Sequence, residues 1–367
     1  MNANVAEFNA VPSPSLRIAI WIDQRNLLSD LTLLRQLGVA LSAEGTRVYI
    51  LGDDVISPAL IPYFAGYWAV QSGSWKKWVK SGRVGNEKFI ASELRRHKID
   101  VLLLMGWSQA QASVLSHIPE VTIIRWQLDR TGSSEVGEDS HSIFASQEIR
   151  LACGAPEHST VIAPGILINE GNPTTRRHAG EGITAFACLD PIDNPSEYER
   201  FLKAFAAARR STDHILLLLD AGPAKDTVWR TARDLKLLNR VSFIPAVGAI
   251  SPAIQSVDVV INISPQSRLW LVGIEAMAAG RAVVCRGSSL TSIFTADTCR
   301  LVTSSDDWAQ CLEDLAMQPT RTRILCENAH LCVKRQHSMA DFVTRFTNRL
   351  IDLKRGSIPL KKASATQ

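Results

Sequence analysis

The sequence predicts an α/β protein built from two successive doubly wound halves, and three observations carry that expectation. Strand-like and helix-like signals alternate along the whole chain, the order of a parallel sheet and not of an all-α or all-β fold. The strand-like runs, RIAIWI at 17–22 and VDVVINI at 257–263 among them, are near-continuous apolar stretches, as expected of parallel strands covered on both faces. The alternation is interrupted once, at the polar, Gly-, Pro- and Thr-containing stretch NEGNPTTRRHAGEG (169–182), and then begins again.

Taken in order, 17–22 is the first strand, 31–43 a helix running into Glu44 and Gly45, and 47–51 the next strand, which together make one βαβ unit. Helical spacing marks 86–97 and 108–117, and strands fall at 100–105, 121–125, 143–145 and 160–162, with Pro164 and Gly165 closing the half. The second series is strand 183–188, helix 196–208, strand 214–219, helix 224–237, strand 241–244 and strand 257–263, the last ended by Ser264 and Pro265. A helix at 274–279 is stopped by Gly280 and followed by a strand at 281–285. Residues 342–354 form an amphipathic helix whose stripe of Phe342, Val343, Phe346, Leu350 and Leu353 needs a core to cover it. The expected division is a disordered tail at 1–16, a Rossmann-like domain at 17–168, a linker at 169–182, a second Rossmann-like domain at 183–340, a C-terminal helix at 341–355 and a tail at 356–367.

Two domains of ordinary size fit the 367 residues, and 46% apolar with 21% charged residues is the composition of a soluble globular protein. A net charge of +4 is small for this length and makes no demand for nucleic acid as a partner. The seven cysteines are odd in number and lack C-x-x-C spacing, which fits a reducing, cytoplasmic compartment. The N-terminal MNANVAEFNAVPSPS has neither a basic start nor an apolar centre, so no signal peptide or anchor is expected, and no later apolar run nears the roughly 20 residues of a membrane span. The eight histidines show no ligand spacing, so no metal is expected.

The segment 63–83, from Tyr63 to Arg83, interleaves Trp68, Trp75 and Trp78 with Lys76, Lys77 and Lys80 and shows no clear helix or strand period. Such a mixture suits a bilayer interface, which would make the protein peripheral to the inner membrane, or a sugar platform on the acceptor side. Simple packing of the tryptophans on the first domain explains it equally well.

Open parallel sheets bind ligands beyond the carboxyl ends of their strands, which directs attention to the run from strand 257–263 into helix 274–279. Glu275 is the helix's one acidic residue. It is expected in the first turn, where the helix dipole favours a carboxylate and where it can accept two hydroxyls of a sugar.

The run from Val257 to Val284 resembles the donor site of retaining glycosyltransferases with the GT-B fold, the family that includes glycogen and sucrose synthases. Asp258, Ser264, Glu275, Ala276, Met277, Ala278, Gly280, Val283 and Val284 stand at matching places. The resemblance, extended over most of 17–355, implies two Rossmann-like domains facing a cleft, the C-terminal one holding a nucleotide-sugar and the N-terminal one the acceptor. It implies that Glu275 holds the ribose, that no cofactor or metal beyond the nucleotide-sugar substrate is needed, and that the helix at 341–355 crosses back onto the first domain. The chain departs from the pattern at several points. Ser267 stands where a first carboxylate is expected, Trp270 where a glycine is, Cys188 and Asp193 or Asn194 near where an Arg and a Lys are. Asp220, Ala221, Gly222 and Pro223 replace a Gly-x-Gly-Pro turn, and Asp23, Gln24, Arg25 and Asn26 replace a glycine-rich loop.

The candidate donor-binding residues are thus Glu275, Gly222, Ser264, Ser267, Arg268 and Arg286, with Arg281 a further cation for a departing diphosphate. Gln24 and Asn26 are the candidates on the acceptor side. Two functions stay open: hexosyl transfer with retention from a nucleotide-sugar to a glycan or lipid-linked acceptor, or a catalytically inactive protein of the same fold acting as a binding or partner subunit.

Overall fold

The structure, a computed structural model, describes residues 16–22, 27–52, 61–69, 84–105, 118, 120–128, 141–155, 159–168, 183–208, 213–245, 250–263, 270–286, 292–304 and 307–356. The expected helix 108–117, the linker 169–182 and the two tails, apart from Leu16 and Gly356, lie outside the described residues.

Two parallel sheets form, one from each half of the chain. The first contains β1 (Arg17–Ile22), β2 (Arg47–Gly52), β3 (Gly66–Ala69), β4 (Val101–Met105), β5 (Thr122–Gln127), β6 (His141–Phe144) and β7 (Thr160–Val161), in the order β3-β2-β1-β4-β5-β6-β7. The second contains β8 (Ile183–Cys188), β9 (Asp213–Asp220), β10 (Val241–Pro245), β11 (Val259–Asn262), β12 (Ala282–Arg286) and β13 (Arg300–Val302), in the order β10-β9-β8-β11-β12-β13. Each order reverses once, between β1 and β4 and between β8 and β11, so each half is a Rossmann-like domain with one switch point.

The near-continuous apolar strands are buried on both faces, and alternate residues serve different cores. In β4, Val101, Leu103 and Met105 enter one cluster while Leu102 and Leu104 enter another. In β8, Ala185 and Ala187 face one cluster and Phe186 and Cys188 a second. One cluster is shared by the two sheets: it holds Ile18, Ile20 and Leu103 of the first together with Ala187, Val260 and Val283 of the second. Helices join the same cluster, among them α1 (Leu27–Ala43), α7 (Trp270–Ala278) and α10 (Met339–Gly356), which supply Leu34 and Leu37, Ile274 and Met277, and Phe346 and Leu350. The remaining helices are α2 (Val84–Arg96), α3 (Gln147–Ala152), α4 (Pro195–Ala208), α5 (Lys225–Asp234), α6 (Ile250–Ser256), α8 (Asp307–Met317) and α9 (Pro319–Gln336).

The stripe on α10 is buried as its spacing requires, and the helix lies against the first sheet. The Trp126 ring of β5 stacks on Phe342 with centroids 5.6 Å apart, and Phe346 follows at 5.0 Å. Near its end Lys354 reaches Asp100 at 2.6 Å.

Within 63–83 the structure corrects the absence of a strand. Residues 66–69 form the edge strand β3, paired to β2, and Trp68 stacks on Tyr49 at 5.1 Å and 6°. Its ring is therefore part of the packing, as a β-strand's inward aromatic is. Residues 70–83 lie outside the described residues.

Candidate functional site

At the carboxyl edge of the second sheet the switch point is closed by a buried carboxylate. Asp190, 2% exposed and two residues past β8, accepts the backbone N–H of Ile263 at 2.9 Å, and its own carbonyl accepts the hydroxyl of Tyr198 at 2.8 Å. One residue thus ties the end of β8 to β11 through its side chain and to α4 through its backbone carbonyl. Burial pushes the Tyr198 hydroxyl and the Cys188 thiol well above their usual values, and the Asp190 charge adds to both. Cys285 is raised too, first by its hydrogen bond with Cys299 and then by burial. These groups stay neutral and structural. The sequence signal for Asp190 is an acidic residue two positions past an apolar strand, which in the sequence looks like any loop carboxylate.

Glu275 lies to one side of this plug. The first-turn placement is corrected: α7 begins at Trp270, four residues earlier than the spacing suggested, so Glu275 is its sixth residue and the dipole no longer accounts for it. Apart from Glu275 the helix is buried throughout, from Trp270 and Leu271 to Met277 and Ala278. Its single carboxylate is half-buried and faces the start of α6, where the Ser251 hydroxyl donates to Glu275 Oε1 at 2.6 Å. α6 starts after β10, so this pair stands at the carboxyl edge.

Gly222, in the turn after β9, has φ +97°, and a Cβ there would lie 2.5 Å from both the nitrogen and the oxygen of Ile192. Ile192 N–H donates to the Ala221 carbonyl at 2.8 Å and Ala224 N–H to the Ile192 carbonyl at 3.0 Å. The backbone that approaches Gly222 most closely is thus the chain's own, the loop after β8.

Arg286, the last residue of β12, forms an ion pair with Glu197 in the first turn of α4. The pair is largely buried, with about the same exposure for the two side chains, 17% and 18%. A guanidinium is therefore present near the loop after β8, its charge balanced by a carboxylate. Arg281 is placed at the opposite edge. It precedes β12, stands by Asp258 at the amino end of β11, and donates to the Gln255 carbonyl at 3.1 Å. With Asp258, Thr184, Thr322, Arg323 and Cys326, Arg281 lines a hollow of about 200 Å³ at the amino ends of the strands. Its location removes Arg281 from the donor edge.

Trp270 spans the two halves. Its indole N–H donates to the carbonyl of Leu128, just past β5, at 2.8 Å, and its ring lies edge-on to His337 with centroids 6.5 Å apart. The carboxyl edges of the two sheets thus meet at the start of α7. Ser264, Ser267, Arg268, Gln24 and Asn26 lie outside the described residues. Among the described residues no three His, Cys, Asp or Glu side chains gather as a metal site needs, and no helix is long and apolar enough to cross a membrane.

Residues 185–318 match the sequence profile of the group 1 glycosyl transferases. The match covers most of the second sheet, including Asp190, Gly222, Ser251, Glu275 and Arg286. Among solved structures, the chain is similar to a glycosyltransferase from Rickettsia africae, with TM-score 0.72 and 12% identity over 93% of this chain and 99% of that one. It is as similar to Alr3699/HepE of Anabaena, solved in complex with UDP and glucose: TM-score 0.72, 15% identity, 92% and 100% coverage. A putative UDP-N-acetylglucosamine 2-epimerase from Listeria monocytogenes matches at TM-score 0.61 and 11% identity over 91% and 95%. At such identities the likeness is one of fold, and a fold by itself does not fix the chemistry. No curated protein matches the sequence.

Proposed function

We propose that the protein is a retaining glycosyltransferase that takes a hexosyl group from a nucleoside diphosphate sugar and passes it to a glycan or lipid-linked acceptor, without a metal. The observation that carries this is the Glu275 carboxylate, the one charge on an otherwise apolar helix, set at the carboxyl edge of a sheet that matches the group 1 profile. A carboxylate only accepts hydrogen bonds, so hydroxyl donors such as those of a ribose suit it. The cleft between the two sheets would place the acceptor on the side of the first domain, near Gln24 and Asn26. UDP-glucose is the first donor to test and UDP the first nucleotide, because HepE was solved with them. All seven cysteines are free thiols, in keeping with work in the cytoplasm.

A second function, binding without transfer, is favoured by Arg286. Loss of a diphosphate needs fixed positive charge, and this guanidinium is already paired with Glu197.

Calorimetric titration of the purified protein with UDP tests the donor site. Glu275→Gln is expected to weaken UDP binding by about 1–3 kcal/mol, the range for a hydrogen bond to a charged group, with little change in unfolding midpoint. A wild-type protein that ignores UDP, ADP and GDP at millimolar concentration removes the donor site. Binding without release of UDP from UDP-glucose, with or without added glycans, supports the second function.

A further inference from the structure

We infer that the hollow at the amino ends of the second sheet binds a phosphate group, free or esterified to a short polyol, at the edge of the domain opposite the candidate donor site. The inference does not depend on the donor-site function proposed above.

The hollow of about 200 Å³ lies between the sheet and the helices α8 and α9. One water needs only about 10–15 Å³ of such space, so a phosphate with a few carbons fits. Thr184 lines it from β8, on the strand face it shares with Phe186 and Cys188, where Leu315 and Cys326 also pack. Thr184 is 7% exposed, and its hydroxyl makes no hydrogen bond among the described residues. A hydroxyl at that depth is costly to leave unmet, and a ligand oxygen would meet it.

α9 brings its amino end to the same space, through Pro319 and Thr322 of its first turn. The aligned peptides of this 18-residue helix place about half a positive charge there. The helix supplies no compensation of its own: Gln318 makes no side-chain capping bond, and the first turn holds no acid. Such an end is suited to an anion.

Three charged side chains line the hollow. Asp258 and Arg281 offset one another, and each has a backbone partner: Asp258 Oδ2 accepts Ala185 N–H at 2.9 Å, and Arg281 donates to the Gln255 carbonyl at 3.1 Å. Arg323 is the third. It approaches Glu327 only to 3.8 Å, and both side chains are more than half exposed, so its guanidinium can turn toward a ligand at little cost. Cys326 adds no negative charge, because burial pushes its thiol up to about 12. The balance is positive, with donors from a strand, a helix end and a guanidinium. A phosphate has oxygens enough for three such directions, whereas a carboxylate has two. Val259 and Leu315 add apolar surface for the carbons of an ester.

The test titrates inorganic phosphate, glycerol 3-phosphate and glycerol calorimetrically into wild type, Thr184→Val and Arg323→Gln. Both phosphates are expected to bind wild type at millimolar concentration and glycerol is not. Each variant is expected to weaken phosphate binding about tenfold, the loss of one hydrogen bond to a charged group. Unfolding midpoints guard against a folding defect, and Arg323, exposed on α9, keeps the test open if Thr184→Val is unstable. Glycerol 3-phosphate binding tenfold more tightly than inorganic phosphate marks the ester as the ligand, and equal affinities mark the free anion. No phosphate binding to wild type, or equal binding by all three proteins, overturns the inference. If wild type ignores UDP yet binds phosphate through Thr184 and Arg323, the hollow stands and the donor site falls.

Discussion

At Gly222 the chain turns with φ +97° directly against the backbone of Ile192, and two hydrogen bonds clamp the loops after β8 and β9 around it. An L side chain there meets a strained backbone and a 2.5 Å approach to main-chain atoms that cannot rotate away. We expect Gly222→Ala to cost about 3 kcal/mol or more, strain and clash together, read as a lower denaturant midpoint with an unchanged slope. A cost under about 1 kcal/mol would mean that the two loops separate easily and that the glycine is there for something else. Gly222 and Glu275 were legible in the sequence because a glycine in a strand-to-helix turn and a lone acid on an apolar helix stand out locally. Asp190 and Ser251 were not singled out, since their partners Ile263 and Glu275 lie 73 and 24 residues away and only the folded sheet brings them together. Arg286 was legible as a cation at a strand end, but its pairing with Glu197 was not, for the same reason.

Elements with strong periods were legible nearly to their ends. The α10 stripe is buried residue for residue, because a helix with one apolar face has one way to cover it. Weak or short elements were not: β3 has four residues, and its edge position leaves it without the apolar run that marks β4. The corner between α9 and α10 shows how a polar residue can be fixed by such packing. His337 is 4% exposed, its Nδ1 lies 2.8 Å from the Pro164 carbonyl, and its own carbonyl accepts Ile166 N–H at 2.8 Å. Burial lowers its pKa below the usual 6.5, against a smaller upward effect of the Pro164 carbonyl. The unfolded chain then binds a proton at higher pH than the folded one. Stability contributed at this corner is intact above pH 6.5 and is lost as pH falls from there through the lowered folded value. Each unit of lowering is worth about 1.4 kcal/mol. Denaturant midpoints at pH 7.5 and 5.5 are expected to differ more for wild type than for His337→Asn. Equal differences would show that His337 stays neutral, or becomes charged, in both states alike.

For the whole molecule, the two sheets are held together by a shared apolar cluster to which both contribute strands and across which α1, α7 and α10 pack. A large apolar interface of this kind resists relative domain motion, whereas the polar, smaller contacts common between domains allow it. The hydrogen bond from Trp270 to Leu128 adds to it where the carboxyl edges of the two sheets meet. The two contributions differ in scale. Burial of one large apolar side chain is worth about 1.5–3 kcal/mol, and both sheets contribute several to the cluster, while the lost bond leaves one carbonyl unpaired at a cost of about 1–3 kcal/mol. Trp270→Phe, which keeps an aromatic ring on α7 but removes the donor, is therefore expected to lower the unfolding temperature by several degrees without separating the sheets. Small-angle scattering checks this directly: the radius of gyration of Trp270→Phe should equal that of wild type. A larger radius in the variant would show that one indole, standing where the resembling family has a glycine, is what keeps the cleft closed, and that the common core alone leaves the two halves free to part.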